Sequence, residues 1–381
     1  VFANRNIRLL LGIVLLVVVV GVVAAVQFLK PPPPVPVTTI TCIGGSEKNT
    51  LVQDPDITAI LRDRYHIEIS FSARGSLDLV QIPTDELKSK GVNCLWPSNA
   101  SAQLVFEQQH NMSDFPGYHA ENVLNSPLVI YSWKEPADAL MQQKIVEQRN
   151  GNYYIVKMQS LVDLIQKGGT WDSIGTTNLR GPIHLKSTNP TQSNSGNILY
   201  LLLLNILSTS KGNATSDVNV ATLDTALPVL PDLHQIYTAQ GLQPTSSGFG
   251  FEQYLTQGVG AFPLYAGYES QILEASVQAP DSIKAATDLR ALYPDPTVWS
   301  SHPILALDEN AQKLITAMKD PDIQQLAWRK HGFRSAVFGI SNNPSDFPLV
   351  AVPSQITQVV DLPGPAVILK MNDCLANGNC S

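Results

Sequence analysis

The stretch Ile183 to Ser208, IHLKSTNPTQSNSGNILYLLLLNILS, constrains this chain most. It predicts a short strand, a polar turn and an apolar helix. The turn, Ser187 to Gly196, carries no formal charge yet is rich in groups that donate hydrogen bonds, and it sits where the helix begins. The first N–H groups of a helix have no partner within it, and the helix dipole adds partial positive charge there. Such a turn suits an anion or a polar ligand. By itself it is equally served by Ser193 or Ser195 acting as an N-cap, so the rest of the chain must decide.

The chain has 381 residues, 44% hydrophobic and 15% charged. That suits a globular protein large enough for two lobes. Formal net charge is −7, and because residues 1 to 37 hold three basic residues and no acid, the remainder carries 22 basic against 32 acidic residues. A body this acidic, with no cluster of Lys or Arg, excludes nucleic acid as a natural partner. Near the start, Leu9 to Leu29 is an apolar run broken only by Gly12, Gly21 and Gln27. Its length matches a membrane-spanning helix and exceeds the apolar core of a typical signal peptide. An uncleaved anchor over residues 1–30 is expected. Arg5 and Arg8 precede the run, which places the N-terminus in the cytoplasm and the body outside, as a single-pass protein of the cell membrane. The proline run from Pro31 makes residues 31–37 a stiff spacer.

Four cysteines, Cys42, Cys94, Cys374 and Cys380, are an even count in a chain placed outside the cytoplasm. One or two disulfides follow, with three full pairings open. Cys374 and Cys380, close in sequence and flanked by Asn and Gly, form the preferred pair. No CxxC and no histidine at ligand spacing supports zinc or any other cofactor.

After the spacer, Val37 to Ile43 has strand character and ends in Gly44-Gly45-Ser46. A helix starting at Asp54-Pro55-Asp56 follows. His66 to Phe71 alternates as a strand should, then Ser72 to Ser76 forms another turn before a helix from Leu77. A third strand, Gly91 to Trp96, ends at Pro97-Ser98 before a further helix. Strands alternating with helices imply a parallel sheet with its turns gathered at one end, where such sheets bind ligands.

With these residues in order, the chain resembles the bacterial extracytoplasmic solute-binding proteins of the two-lobed, molybdate-binding-like (type II periplasmic binding protein) group. Ile57 to Tyr65 followed by IEISFSARGSLDLV is similar to their first lobe, STNPTQSNSG to the turn opening the second, and Gly260 to Glu269 to the late strand returning to the cleft. Asp308 to Phe333 is similar to their closing helices. The resemblance covers about residues 38–340. It implies an α/β fold with two lobes, each a mainly parallel sheet flanked by helices, after the N-terminal transmembrane helix. Lobe I would be 38–128 and 297–365, lobe II 134–285, and the hinge crossings 129–133 and 286–296. The Cys-containing tail, 366–381, departs from the pattern. In molybdate-type relatives, serines at the two early turns and a tyrosine on the late strand hold the ligand. The resemblance therefore assigns Ser46, Ser76 and Tyr265, while Ser193, Asn194 and Ser195 follow from the helix-start argument. Neutral donors can hold an oxyanion, and they serve a sugar, a carboxylate or a peptide equally.

Other residues attract attention without joining the site. Lys134 could face an anion, but Lys134-Glu135 reads as a solvated pair. Glu269 beside Tyr268 would repel an anion if it faced the cleft, so either it points away or the ligand is not a simple oxyanion. Trp299 and His302 are expected to pack at the hinge, and Leu199 to Leu207 is a buried helix beneath the turn. No GxSxG, phosphate-binding glycine loop or base beside a serine supports an enzyme. The expectation is a membrane-anchored solute-binding protein that captures a small polar or anionic ligand between two lobes for an ABC-type permease. The alternative is an anchored sensor or scaffold that keeps the fold and acts through a signalling partner.

Overall fold

The computed structural model describes residues 12–21, 35–149, 153–212, 217–285 and 288–381. The chain divides into two compact units, residues 1–37 and Thr38–Ser381. In the first, residues 12–21 are helical. The rest of the Leu9–Leu29 run, and Pro31–Pro34 of the spacer, lie outside the described residues. Among the described residues, no helix is long and apolar enough to cross a membrane.

The second unit begins with β1 (Thr38–Gly44), whose inward residues Ile40 and Cys42 alternate with less buried threonines. Such period-two patterning fits a strand with one face in the core. Asp54 then caps α1 (Pro55–Tyr65) by accepting from the N–H groups of Asp56 and Ile57. β2 (Ile67–Ala73) runs parallel to β1, as does β3 (Cys94–Trp96) on its other side. Between them lies the short helix α2 (Ser76–Val80), and after β3 comes α3 (Ala100–Gln109). Cys42 and Cys94 are direct neighbours across the β1–β3 ladder and form a disulfide.

β4 (His119–Trp133) has 15 residues, enough for about 50 Å of extended chain. Its first half pairs with β9 (Trp299–Ala306), its second half with β7 (Leu264–Tyr268) and β8 (Leu289–Asp295). β5 (Val146–Arg149) and β6 (Tyr153–Lys157) complete a ten-stranded sheet in which the order is β2-β1-β3-β9-β4-β8-β6-β5, with β7 and the two-residue β10 (Arg334–Ser335) also on β4. The expectation of two mainly parallel sheets is corrected here. β4 is antiparallel to β7, β8, β9 and β10, β3 to β9 and β5 to β6, so among the described residues only the β1–β2, β1–β3 and β6–β8 ladders are parallel. The cause is the return path: strands that go out and come back along the same axis must pair antiparallel.

Among the described residues the buried apolar side chains form four clusters, and the two largest flank this spine. One gathers Ile40, Leu61, Ile67, Trp96, Leu124, Ile304 and Phe333. The other surrounds α4 (Asn194–Gly212), where every residue from Ile198 to Leu204 is buried, as a helix apolar on all sides must be. The C-terminal helix belongs with this second core. Its helix, Pro365–Asn377, contributes Val367, Ile368, Met371, Cys374 and Leu375, and Cys374 pairs with Cys380 beyond its end.

Between the cores the strands are clamped by a buried ion pair. Arg334 donates to both carboxylate oxygens of Glu269, at 2.6 and 2.9 Å, and to the Pro353 carbonyl at 2.9 Å. Tyr293 of β8 donates to the same carboxylate at 2.8 Å, and the guanidinium lies over the Trp328 ring. Glu269 is fully buried and points away from the cleft. Removing one partner leaves a buried charge alone, which costs about 3–5 kcal/mol, whereas replacing both avoids that penalty. Arg334→Ala should therefore lower the urea midpoint far more than the double change Glu269→Gln with Arg334→Met; equal losses would show that the pair is not held as a buried charge pair.

Candidate functional site

The turns after β1, β2 and β3 meet the turn before α4 and the turn before α5 (Ser247–Ala261) around one cavity of about 340 Å³. It is lined from one side by Ser46, Glu47, Arg74, Gly75, Ser76 and Ser98, and from the other by Gln192 to Asn194, Thr245 to Ser247 and Tyr268. Strand ends and helix starts gather here for one reason. Each strand–turn–helix unit leaves its turn, and the unpaired N–H groups of its helix, at the same edge. Ser246, the residue before α5, makes no side-chain cap, so the first N–H groups of that helix remain available.

Four of the six residues expected at the site line this cavity: Ser46, Ser76, Ser193 and Asn194. Asn194 is the central connector. Its amide donates to the Ser98 carbonyl at 3.0 Å and to the Tyr268 hydroxyl at 2.8 Å, while Asn99 donates to its oxygen. Ser76 accepts from the Ser98 N–H at 2.9 Å. Ser195 is fully buried behind the turn, 2.7 Å from the Thr188 hydroxyl, and does not line the cavity.

Tyr265 is also elsewhere. It is buried among Tyr131, Tyr254 and Phe262, and its hydroxyl has no hydrogen-bond partner among the described residues. Gly250 of α5 makes room for it, since a Cβ there would stand 1.9 Å from that hydroxyl. The tyrosine of β7 that reaches the cavity is Tyr268. Three residues along a strand turn a side chain to the opposite face, so the two tyrosines cannot share a surface.

Sequence reasoning also passed over Glu47, Arg74, Asp78, Ser98, Gln192 and Thr245 to Ser247. Thr245-Ser246-Ser247 ahead of an apolar helix repeats, more briefly, the signal that marked Ser193 to Ser195. Lys134 lies on the surface, paired with Asp138, and Glu135 accepts from Thr177 and Asn178. Neither lines the cavity.

The cavity floor carries a buried charge network. Lys48 Nζ donates to Glu47 Oε1 at 2.5 Å and to the Ser98 hydroxyl at 3.0 Å, and Ser98 donates to Glu47 Oε1. Burial by itself would raise the Glu47 carboxyl. The Lys48 charge and the bonds from Lys48 and Ser98 outweigh it and hold the group at about 2, below its ordinary 4.5. Burial lowers Lys48 against the pull of Glu47. His302, fully buried with Nδ1 3.6 Å from Glu47 Oε1 and Nε2 3.3 Å from the Ser300 hydroxyl, is pushed well below 6.5 by burial and by Lys48.

The two sides of the cavity touch. Ser46 and Ser247 hydroxyls are 3.4 Å apart, and Ser247 Oγ lies 3.3 Å from Glu47 Oε2. A Cβ on Gly75 would stand 1.9 Å from the Gln192 carbonyl oxygen, so these turns approach as closely as a glycine allows.

The His302 shift has a defined sign in stability. A histidine neutral in the folded state and free to protonate when unfolded contributes stability that is present above about 6.5 and lost as pH falls, by up to ~2 kcal/mol at pH 5. Urea unfolding at pH 7.5 and pH 5.0 should show this loss in the native chain and a smaller one in His302→Gln. An unchanged pH dependence in that variant would show that His302 is not kept neutral.

No family model matches the sequence, and no curated protein matches it. Solved structures do match. A periplasmic thiamin binding protein aligns with TM-score 0.57 at 11% identity, covering 93% of this chain and 99% of that one. The ferric binding protein from Campylobacter jejuni gives 0.54 at 10%, covering 88% and 99%. The sulfate-binding protein SubI from Mycobacterium tuberculosis H37Rv gives 0.51 at 14%, covering 87% and 96%. Each is named as a binding protein, and none as an enzyme. At these identities the likeness speaks to architecture, and with β4 as its spine and one polar cavity between two cores, the chain has the two-lobed fold of the periplasmic binding proteins.

Proposed function

We propose that this protein is an extracytoplasmic solute-binding protein that captures a small polar solute between its lobes and delivers it to an ABC-type permease. The observation that carries the reading is the cavity where five polar turns converge, with Asn194, which also donates to Tyr268 beside it, linking one side to Ser98 on the other. Capture by closure requires that the closed state make ligand contacts the open state lacks. Donors drawn from both sides of one cavity supply that difference. The solute-binding proteins of similar fold named above, for thiamin, ferric ion and sulfate, agree with this reading.

The body would be held at the outer face of the cell membrane by the Leu9–Leu29 run, with Arg5 and Arg8 on the cytoplasmic side. Support for the anchor is the length and apolarity of that run in sequence. Alkaline carbonate extraction of membranes tests it: an anchored chain stays with the pellet, and release into the supernatant would refute the anchor.

Gly75 offers a test of closure. Its backbone φ of −60° in the sequence Gly75-Ser76 suits any residue, so Gly75→Ala introduces no backbone strain and only sets a methyl against Gln192. The variant should keep the native far-UV spectrum and thermal cooperativity while its radius of gyration in solution scattering rises and its affinity for a captured solute falls by tenfold or more. An unchanged radius and affinity would show that the two turns need not meet for the solute to be held.

A further inference from the structure

Glu47 is the residue in the cavity least suited to a bare anion. Its side chain is almost wholly buried and still lines the cavity floor. Its two oxygens differ. Oε1 takes the Lys48 ammonium and the Ser98 hydroxyl. Oε2 has one long contact, 3.3 Å to Ser247, which comes from the opposite side of the cleft. That oxygen retains acceptor capacity, since a carboxylate oxygen carries two lone pairs. Lys48, fully buried behind it, balances its charge without reaching into the cavity. Arg74 and Asp78 stand exposed at the mouth, one of each sign.

Resting on the capture reading, we propose that Glu47 sets the specificity of the cleft: Oε2 accepts a hydrogen bond from the solute, so the solute is a small organic molecule bearing a hydroxyl or ammonium donor, and fully deprotonated oxyanions are rejected. Electrostatics make the choice sharp. A donor on the solute gains a charge-assisted bond to a side chain that is itself almost wholly buried, whereas sulfate or molybdate would bring oxygen lone pairs against a carboxylate held ionised throughout the neutral range. A cavity of about 340 Å³ also exceeds what one tetrahedral oxyanion fills. Ser193 and Ser246 line the same cavity, beside the uncapped start of α5, and offer the solute further hydrogen-bonding groups.

The experiment is calorimetric titration of the purified full chain with six probes. L-serine, glycine and glycerol 3-phosphate carry donors; sulfate, molybdate and glycine betaine carry none. The expected result is binding of at least one donor-bearing probe, on the order of 10- to 100-fold tighter than any of the three without donors. Glu47→Gln should narrow that preference by at least tenfold. Because this variant leaves Lys48 unpaired and can fail to fold, the comparison within the native chain stands by itself. Sulfate, molybdate or betaine binding as tightly as the donor-bearing probes would overturn the assignment of Glu47 and leave solute capture intact. A folded Glu47→Gln chain with unchanged preference would do the same. No binding by any of the six would overturn the capture reading on which the proposal rests.

Discussion

The structure depends on one strand that is long enough to belong to both halves of the body. β4 supplies partners to β9 and β10 in its first half and to β7 and β8 in its second. Every backbone group of a central strand must be paired, so β4 cannot shift its register against one half without breaking ladders in the other. The two cores are thereby fixed along one axis. The Glu269–Arg334 pair, reached by Tyr293 of β8, locks the place where the ladders change partners. The ion pair owes its value there to geometry: two bonds between its partners and one each from Tyr293 and to Pro353 leave no buried charge uncompensated.

The cavity follows from that axis. Turns after parallel strands on one side face turns before α4 and α5 on the other, and their polar groups have nothing apolar to pack against. They pair across the gap instead, through Asn194 with Ser98 and Ser46 with Ser247. Such hydrogen bonds contribute only about 1 kcal/mol net each. They can hold the two sides together and still be exchanged for contacts with a solute.

Charge is handled differently at the floor and at the mouth. Glu47 and Lys48 form a buried pair in which each favours the charged form of the other against the cost of burial, while burial and the Lys48 charge keep His302 beside them neutral. Arg74 and Asp78 at the mouth are solvated and contribute little to stability. The buried set is thus where stability and selectivity meet, since the ion pair that must be satisfied for folding also leaves one carboxylate oxygen toward the cavity.

Local pattern alone determined a good deal. The Asp54 cap, the alternation in β1 and β2, the wholly apolar α4 and its polar turn, and the small Cys374–Cys380 loop are all legible because each depends on residues near one another in the chain. Four of six expected site residues line the cavity because strand ends and helix starts can be read from such signals. Tertiary structure decided what depends on distant partners. Tyr268 rather than Tyr265 reaches the cavity, because strand phase is set by pairing with β4 and not by the tyrosine itself. Ser195 lies behind its turn because Thr188 claims its hydroxyl. The antiparallel character of the sheet, the Cys42–Cys94 bond and the docking of the last helix onto the α4 core all join segments far apart in sequence. Glu47, beside Ser46 in the first turn, gave no sign of its importance until Lys48, Ser98 and His302 were brought around it, since a carboxylate's chemistry is set by its burial and its neighbours.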